Sequence, residues 1–541
     1  MLLRSLSLSH GYETLTLRLR PNRPAKNRLS KIIKSCAPRK DLQGQSVAII
    51  GLGKSGRAAA RLALARGASV LAIDENKNLG LLEQDPLFEE YSGLRTILGN
   101  LDVQLLKDVD LVVVSPGVPP ENYGLSTLLE SGQRIMSELD FAAEILPKDI
   151  KILAVTGTNG KSTVVTFAGQ MLNHFGIEAF VGGNLGNPLS EAAFLCLSPS
   201  MKPGFQVAVV EVSSYQMEIP NKYFCPSVAA VLNLTPDHLE RHKTMKNYAM
   251  TKCSLLSHMT DTKLGLLCFG NQHLNEAVRE HAETFNLAWI GAFPGVKVIA
   301  CLQQINVETK IASLEVPTMR VVSQLQLDAM KVMGTHNYYN AAVAALCVLG
   351  LDLGLDANSM SSTIENLRAP PHRMEIVHRD ANGVIWVDDS KATNVEATYT
   401  GLLGLKQQKS VILLGGLAKG MLLYSVQVVR ALMNSEILST EVWFFRRWPS
   451  PRKLFQSNEH MLVISPKEAY CKVILWRFIM RRVSSPNGFG RELRKVCLIL
   501  TSSMPVIEYN RFDILSKCFS RSFLSNEQHF MAKNSSRATF V

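Results

Sequence analysis

A chain of 541 residues with 46% apolar and 19% charged side chains is too long for one hydrophobic core, and at ~150 residues per domain it divides into three or four units. That balance excludes a disordered or collagen-like chain. The net charge of +12 does not mark a nucleic-acid binder, because it sits at the ends: residues 1–40 carry ten Lys/Arg against one acid, residues 421–541 eighteen against eight, and the body thirty against thirty-seven.

The first forty residues are rich in Leu, Ser and Arg and lack the apolar core of a secretory signal. They read as an organellar transit peptide over residues 1–42, which implies a plastid location after its removal. A basic arm that stays attached, in an otherwise cytoplasmic protein, is the alternative. The ten cysteines form no CxxC pair and no zinc-type spacing, so they are expected as reduced thiols. The longest strongly apolar run, Ala341 to Leu351, has eleven residues where ~20 are needed to span a bilayer. Neither a membrane nor a nucleic acid is expected as a partner.

From Gln43 onward, short β-branched runs alternate with longer amphipathic ones, the pattern of an α/β protein with parallel sheets. Strands are predicted at Val47 to Ile50, Val70 to Asp74, Leu111 to Ser115, Ile152 to Thr156, Val207 to Val212, Val228 to Leu234, Leu264 to Phe269, Ile385 to Val387 and Val411 to Leu414. Proline and charge interrupt the rhythm near Lys148 to Lys151 and near Ala369 to His372, where domain boundaries are placed. The expected divisions are 43–149, 150–369, 370–420 and a tail at 421–541.

The first predicted strand runs into Gly51-Leu-Gly53-Lys54-Ser55-Gly56, and Asp74 ends the next one. Such a turn lets a phosphate approach backbone N–H groups at a helix start, and the acid can accept from a ribose or a base. By itself this also fits strand–helix packing, or the nicotinamide cofactor of an oxidoreductase. A second turn, Ser115-Pro-Gly117-Val-Pro, follows the strand Leu111 to Val114. The sharper signal is Gly157-Thr158-Asn159-Gly160-Lys161-Ser162-Thr163 after the strand Ile152 to Thr156. Val155 takes the place of the first glycine in the full Walker A spacing. Backbone amides from Gly157 to Lys161 can still cradle polyphosphate, Lys161 can reach its outer oxygens, and Ser162 or Thr163 can ligate Mg²⁺. ATP or GTP is therefore expected, and a phosphate loop has no part in hydride transfer.

Groups that hold metals beside phosphates are sought at the ends of following strands. Glu211, in Glu211-Val-Ser-Ser-Tyr215-Gln216, and His238, in Asp237-His238-Leu-Glu240-Arg241-His242, meet this condition. In a parallel sheet both end on the edge that carries Lys161. Taken singly, Glu211 also fits an acid facing a helix dipole, and His238 a capped core histidine.

These residues resemble the Mur ligase family over about residues 43–420. The resemblance is carried by the two glycine-rich turns, Ser115-Pro116-Gly117, Gly182-Gly-Asn184-Leu-Gly186, Glu211-Val-Ser-Ser-Tyr, Asp237-His238 and Gly334-Thr-His336-Asn337-Tyr-Tyr-Asn340. Pro371-His372-Arg373-Met-Glu375 and Asp389-Ser390-Lys391-Ala-Thr393-Asn394 are similar to the family member that adds D-glutamate. The resemblance implies three domains: a Rossmann-like domain for the UDP substrate, a central ATPase domain and a Rossmann-like domain for the amino acid. It also implies ATP-dependent joining of D-glutamate to UDP-N-acetylmuramoyl-L-alanine through an acyl phosphate, with Mg²⁺ and as a monomer. Carried over by position, Gly53, Lys54, Ser55, Asp74 and Gly117 would hold the UDP part, and Asn184 and His238 the muramoyl-alanine part. Gly157 to Thr163, Asn340, Arg373 and Asp389 would hold ATP, and Lys391, Thr393 and Lys419 would lie near the D-glutamate pocket. Ser162, Glu211 and Lys252, the last as a carbamate, would hold magnesium. Lys161, His238 and Lys252 form the expected catalytic set. A solvated helix lysine is the alternative at Lys252, since one residue fewer separates it from His238 than in some relatives.

Beyond Gly420 the likeness stops. The chain there is basic, rich in Ser, Arg and Phe, and without evident strand–helix alternation. The third domain is thus expected to be aberrant. A catalytically impaired nucleotide-binding homologue is the alternative function, and a Rossmann oxidoreductase a remote one.

Overall fold

A computed structural model describes residues 41–404, apart from 100–102, 198–203, 257–258, 260–263, 269–270, 280–285, 291–300, 307–308, 317–320 and 380–384, together with strands at 410–415, 440–445 and 497–501. The chain forms two compact units. The first holds residues up to Ile150 with Gly186–Gln206 and Glu218–Phe224, and the second holds Lys151–Leu185, Val207–Met217 and the chain from Cys225 onward.

The first unit is built on a parallel sheet of β1 (Ser46–Ile50), β2 (Ser69–Asp74), β3 (Leu94–Leu98), β4 (Leu111–Val114) and β5 (Ile135–Ser137) in the order β3-β2-β1-β4-β5. β4 is buried throughout and β1 in all but its first residue, which is why they read as unbroken apolar runs. The order reverses between β1 and β4, so the turns after these two strands flank the crevice where doubly wound sheets bind ligands. At the start of this unit Leu42 is buried, and the Arg66 guanidinium lies between Asp41 and Glu144 at 2.9 Å from each.

The second unit carries nine strands: β6 (Lys151–Thr156), β7 (Ala179–Gly183), β8 (Val207–Glu211), β9 (Val228–Val231), β10 (Leu264–Cys268), β11 (Asn286–Ile290), β12 (Cys301–Asn306), β13 (Ile311–Val316) and β14 (Val321–Gln326). Their order is β14-β13-β12-β11-β10-β9-β6-β8-β7. Pairing is parallel from β7 to β12, and β12 to β14 form an antiparallel extension. The run Ala341 to Leu351 falls in the helix His336–Gly350 and its C-cap. It is buried against the helix Lys161–His174, with Ala312, Leu314 and Leu325 in the same core. That burial accounts for its apolarity, and no described helix is long and apolar enough to cross a membrane.

A third sheet, within the second unit, contains β15 (Glu375–Arg379), β16 (Ile385–Asp388), β17 (Ser410–Gly415), β18 (Thr440–Phe445) and β19 (Cys497–Thr501) in the order β15-β16-β19-β17-β18. Two of its strands lie past residue 420, in the stretch that shows no evident strand–helix alternation in the sequence. β19 pairs in parallel with both β16 and β17, and β18 pairs with β17. Thr440-Glu-Val-Trp-Phe-Phe445 and Cys497-Leu-Ile-Leu-Thr501 are rich in β-favouring residues, a local signal hidden by the basic composition around them.

Candidate active site

In the first unit, Gly51 follows β1 at φ +86° and Gly53 caps the helix Lys54–Ala65. Asp74 holds this turn: its carboxylate accepts the Leu52 N–H at 2.6 Å and the Asn76 N–H at 2.8 Å. The Ser115 hydroxyl, after β4, donates to the Gly51 carbonyl at 2.7 Å. A Cβ on Gly56 would stand 1.8 Å from the Gly51 carbonyl oxygen, whereas one on Gly53 or Gly117 would meet nothing within 4 Å. Gly56 is thus a packing glycine, while Gly53 and Gly117 border open space. Lys54 is exposed and Ser55 half-buried at the helix start.

In the second unit, β6 ends in the loop Gly157–Gly160, with Gly157 at φ +146° and Gly160 at φ +85°. Asn233, beyond β9, fixes the loop. It accepts the Thr158 N–H on its carbonyl at 3.1 Å and the Asn159 N–H on Oδ1 at 2.8 Å, and it donates from Nδ2 to the Asn159 carbonyl at 2.9 Å. Two of the amides expected to cradle phosphate are therefore committed to Asn233. The N–H groups of the first turn of the helix Lys161–His174 have no intrahelical acceptor and carry the positive end of its dipole.

Two ammonium groups meet at this loop. Lys161 donates to the carbonyls of Gly157 at 3.0 Å and Thr158 at 2.8 Å, and Lys252 donates to the same Gly157 carbonyl at 3.0 Å. Lys252, in the helix Met245–Cys253, is 1% exposed, with its ammonium 4.5 Å from the centre of the Tyr248 ring. A solvated helix lysine is excluded. Burial first, then the charge of Lys161, holds the Lys252 amine well below the usual lysine range. Lys161 is also lowered by burial, opposed by Glu211 and reinforced by Arg373. Glu211, at the end of β8, is 3% exposed. One of its oxygens accepts the Asn184 amide at 2.8 Å, and the other is buried without a hydrogen-bond partner.

His238 stands at φ +54° before a short helix, with its Nδ1 2.7 Å from the Tyr215 hydroxyl and its side chain 28% exposed. It is a surface-reaching group rather than a core histidine. His242 was not singled out from the sequence. It is stacked on Tyr215 at 5.8 Å and Tyr248 at 4.8 Å, and it pairs with the Ser214 hydroxyl at 2.9 Å. Burial, followed by the Lys252 charge, pushes it down to about 4. This aromatic column joins the His238 turn to the helix of Lys252.

The segment before the third sheet reaches the same loop. Arg373 donates to the Ser162 hydroxyl at 3.2 Å, with its Nε buried and unpartnered. Asp389 accepts the Met374 N–H at 3.1 Å, and burial, partly offset by that bond, pushes its carboxyl up to about 7. His372 pairs with Asp388 at 2.8 Å. Asn340 donates to Asn337 at 2.9 Å, and its carboxamide oxygen would meet a Cβ on Gly160 at 2.9 Å. Lys391 and Thr393 are exposed. Lys419 lies outside the described residues.

The chain has counterparts among known proteins. Residues 155–348 match the Mur ligase middle domain, and residues 45–137 match the Mur ligase MurD-like N-terminal domain. The UDP-N-acetylmuramoylalanine–D-glutamate ligase of Koribacter versatilis is 31% identical over 380 residues, covering 70% of this chain and 79% of the relative. That of Anaeromyxobacter dehalogenans is 33% identical over 387 residues, with the same coverage. The chain belongs to the Mur ligase family. A MurF ligase from Thermotoga maritima, solved in complex with ADP, is 18% identical, covers 90% of this chain and 97% of its own, and has a TM-score of 0.49.

As a Mur ligase the protein is an ATP-dependent, amide-bond-forming enzyme with mixed α/β architecture. The residues around its loop suit both ATP and a cation. The orphaned Glu211 oxygen lacks the partner a buried carboxylate requires, and a magnesium ion is an oxygen-seeking one.

Proposed function

We propose that the protein joins D-glutamate to UDP-N-acetylmuramoyl-L-alanine at the cost of ATP, yielding ADP, phosphate and a peptidoglycan precursor. One observation carries this reading: Lys161, Lys252, Glu211 and Arg373 gather around the Gly157–Gly160 loop in a chain about a third identical to curated ligases of that name. In the first unit Gly53, Lys54, Ser55, Asp74 and Gly117 surround the uridine nucleotide. In the second, Asn184 and His238 orient the muramoyl-alanine, while Asn340, Arg373 and Asp389 hold the ATP. Lys391, Thr393 and Lys419 serve the amino acid.

A substrate carboxylate oxygen attacks the γ-phosphorus, the bond to ADP breaks, and an acyl phosphate forms. The D-glutamate nitrogen then attacks the acyl carbon, phosphate leaves and the nitrogen loses a proton. Lys161 and the helix start stabilise the charge on the transferring group. Ser162, Glu211 and the Lys252 carbamate would hold magnesium, which screens charge between the two anionic reactants. Lys252 suits carbamate formation because a neutral amine has the lone pair that attacks CO₂ and then releases a proton, giving an anion attracted to cations. The protein acts as a monomer in a plastid after loss of residues 1–42.

Phosphate release from ATP that requires Mg²⁺, UDP-N-acetylmuramoyl-L-alanine and D-glutamate together is the expected result, with loss of turnover in Lys161→Ala. Release that ignores D-glutamate would favour an impaired homologue.

A further inference from the structure

Asn394 occupies a junction that the chemistry above leaves unused. It caps the helix Val395–Leu403, its Oδ1 accepting the Ala397 N–H at 2.8 Å. Its amide nitrogen donates to Asn159 Oδ1 at 3.0 Å and to Asp237 Oδ2 at 3.1 Å. Asn159 belongs to the phosphate loop, Asp237 precedes His238, and Asn394 closes the segment that starts at Asp389. One buried carboxamide therefore engages three elements: its oxygen accepts from its own helix and, at 3.4 Å, from Asn159 Nδ2, and its nitrogen donates to two separate loops, at 3.0 and 3.1 Å.

Helix capping does not account for this choice of side chain. Asp or Ser caps as well as Asn, but neither has an NH₂ group for Asn159 and Asp237. The consequence for the loop is direct, because Asn233 clamps the Asn159 backbone on both its N–H and its carbonyl. The Asn159 side chain is thus held from a rigid backbone, and Asn394 meets it in a fixed place.

We propose that Asn394 is a positioning residue, which ties the 389–394 segment to the phosphate loop and the Asp237–His238 turn so that firm nucleotide binding depends on that segment being docked. It acts through Asn159 and Asp237 and does not itself touch the reactants. The inference takes its turnover readout from the ligase reading, whereas its nucleotide readout stands without it.

The test uses the full-length protein and the variants Asn394→Asp and Asn394→Ser, which keep a capping oxygen and lose the donors. Each is followed by thermal melting, by release of a fluorescent ADP analogue, and by steady-state turnover with ATP varied. Melting temperatures are expected to stay within about 2 °C of the parent. The analogue is expected to leave faster, and the KM for ATP to rise about tenfold. The effect is larger for Asn394→Asp, whose new carboxylate faces that of Asp237. Pairing Asp237→Asn with Asn394→Asp exchanges donor and acceptor, and part of the analogue's affinity should return relative to Asn394→Asp alone. Parent-like release and KM in both single variants would overturn the proposal. So would a loss seen only in step with a lower melting temperature, or a paired variant no tighter than Asn394→Asp. If the parent itself fails to turn over, the ligase reading falls, and release of the analogue still decides the role of Asn394.

Discussion

Lys252 shows how placement decides what a side chain can do. Its ammonium shares one backbone carbonyl with Lys161 and is sealed from water. An arginine there stays charged at any accessible pH and forms no carbamate. Lys252→Arg is therefore expected to lower turnover at least about a hundredfold, checked by ADP release at saturating reactants. Glu138 makes a different residue-scale case. It is buried in the first unit, one oxygen accepts the Ser190 N–H at 2.7 Å, and the other is unpartnered. Burial pushes its carboxyl up to about 7 from an ordinary 4.5. Below about pH 4.5 the group is protonated in both folded and unfolded chains, and its contribution is fully present. As pH rises through 7 the unfolded chain has already ionised it, the folded chain must follow, and the contribution is lost. Glu138→Gln removes that loss, so its stability advantage over the parent should grow between pH 4.5 and 7.5, by ~3 kcal/mol at most. Denaturant melts across that range test this, and a constant difference would count against it.

The glycines of the turn between β1 and the helix Lys54–Ala65 separate packing from binding at the level of the element. A methyl at Gly56 collides with the Gly51 backbone, so Gly56→Ala should destabilise the first unit by about 3 kcal/mol or more, seen as a lowered melting temperature. Gly53→Ala has room and a φ of −65°. It should melt like the parent yet raise the KM for the uridine nucleotide, as its methyl enters the open space. Elements such as β1, β4, β6, β8 and β9 were legible in the sequence because strands buried on both faces are continuous apolar runs. β3, half-exposed at a sheet edge, and β7, which ends in two glycines, lack that run and were not foreseen. The antiparallel strands β13 and β14 alternate buried with less buried positions and mix polar residues such as Ser313, Ser323 and Gln324 among the apolar ones, so they lack the continuous apolar run that marks a strand buried on both faces. Within the site, Lys252 came only from the family resemblance, whereas Lys161 and Glu211 could be found by their places after strands. The stack of Tyr215, His242 and Tyr248 could not, since it joins two segments through ring faces that no spacing encodes.

At the scale of the molecule, the third sheet depends on residues far along the chain. β16 and β17 do not pair with each other, because β19 lies between them. A chain ended after residue 420 loses β18 and β19, which leaves β17 without a strand partner and β16 paired with β15 alone. The first unit draws none of its strands from that region, so the shortened protein should still bind a uridine nucleotide while its D-glutamate-dependent turnover disappears. Equilibrium binding and phosphate release, measured on the same preparation, separate the two effects. The basic composition past Gly420 concealed β19, since five apolar-rich residues weigh little in an average over the whole tail.

That arrangement also imposes an order of events during biosynthesis. The strand that fills the middle of the sheet leaves the ribosome after both of its neighbours, and until it emerges the nascent polypeptide displays two sheet edges with unanswered N–H and C=O groups. Stalled or prematurely terminated translation products would carry those edges permanently, open to annealing with strands of other chains.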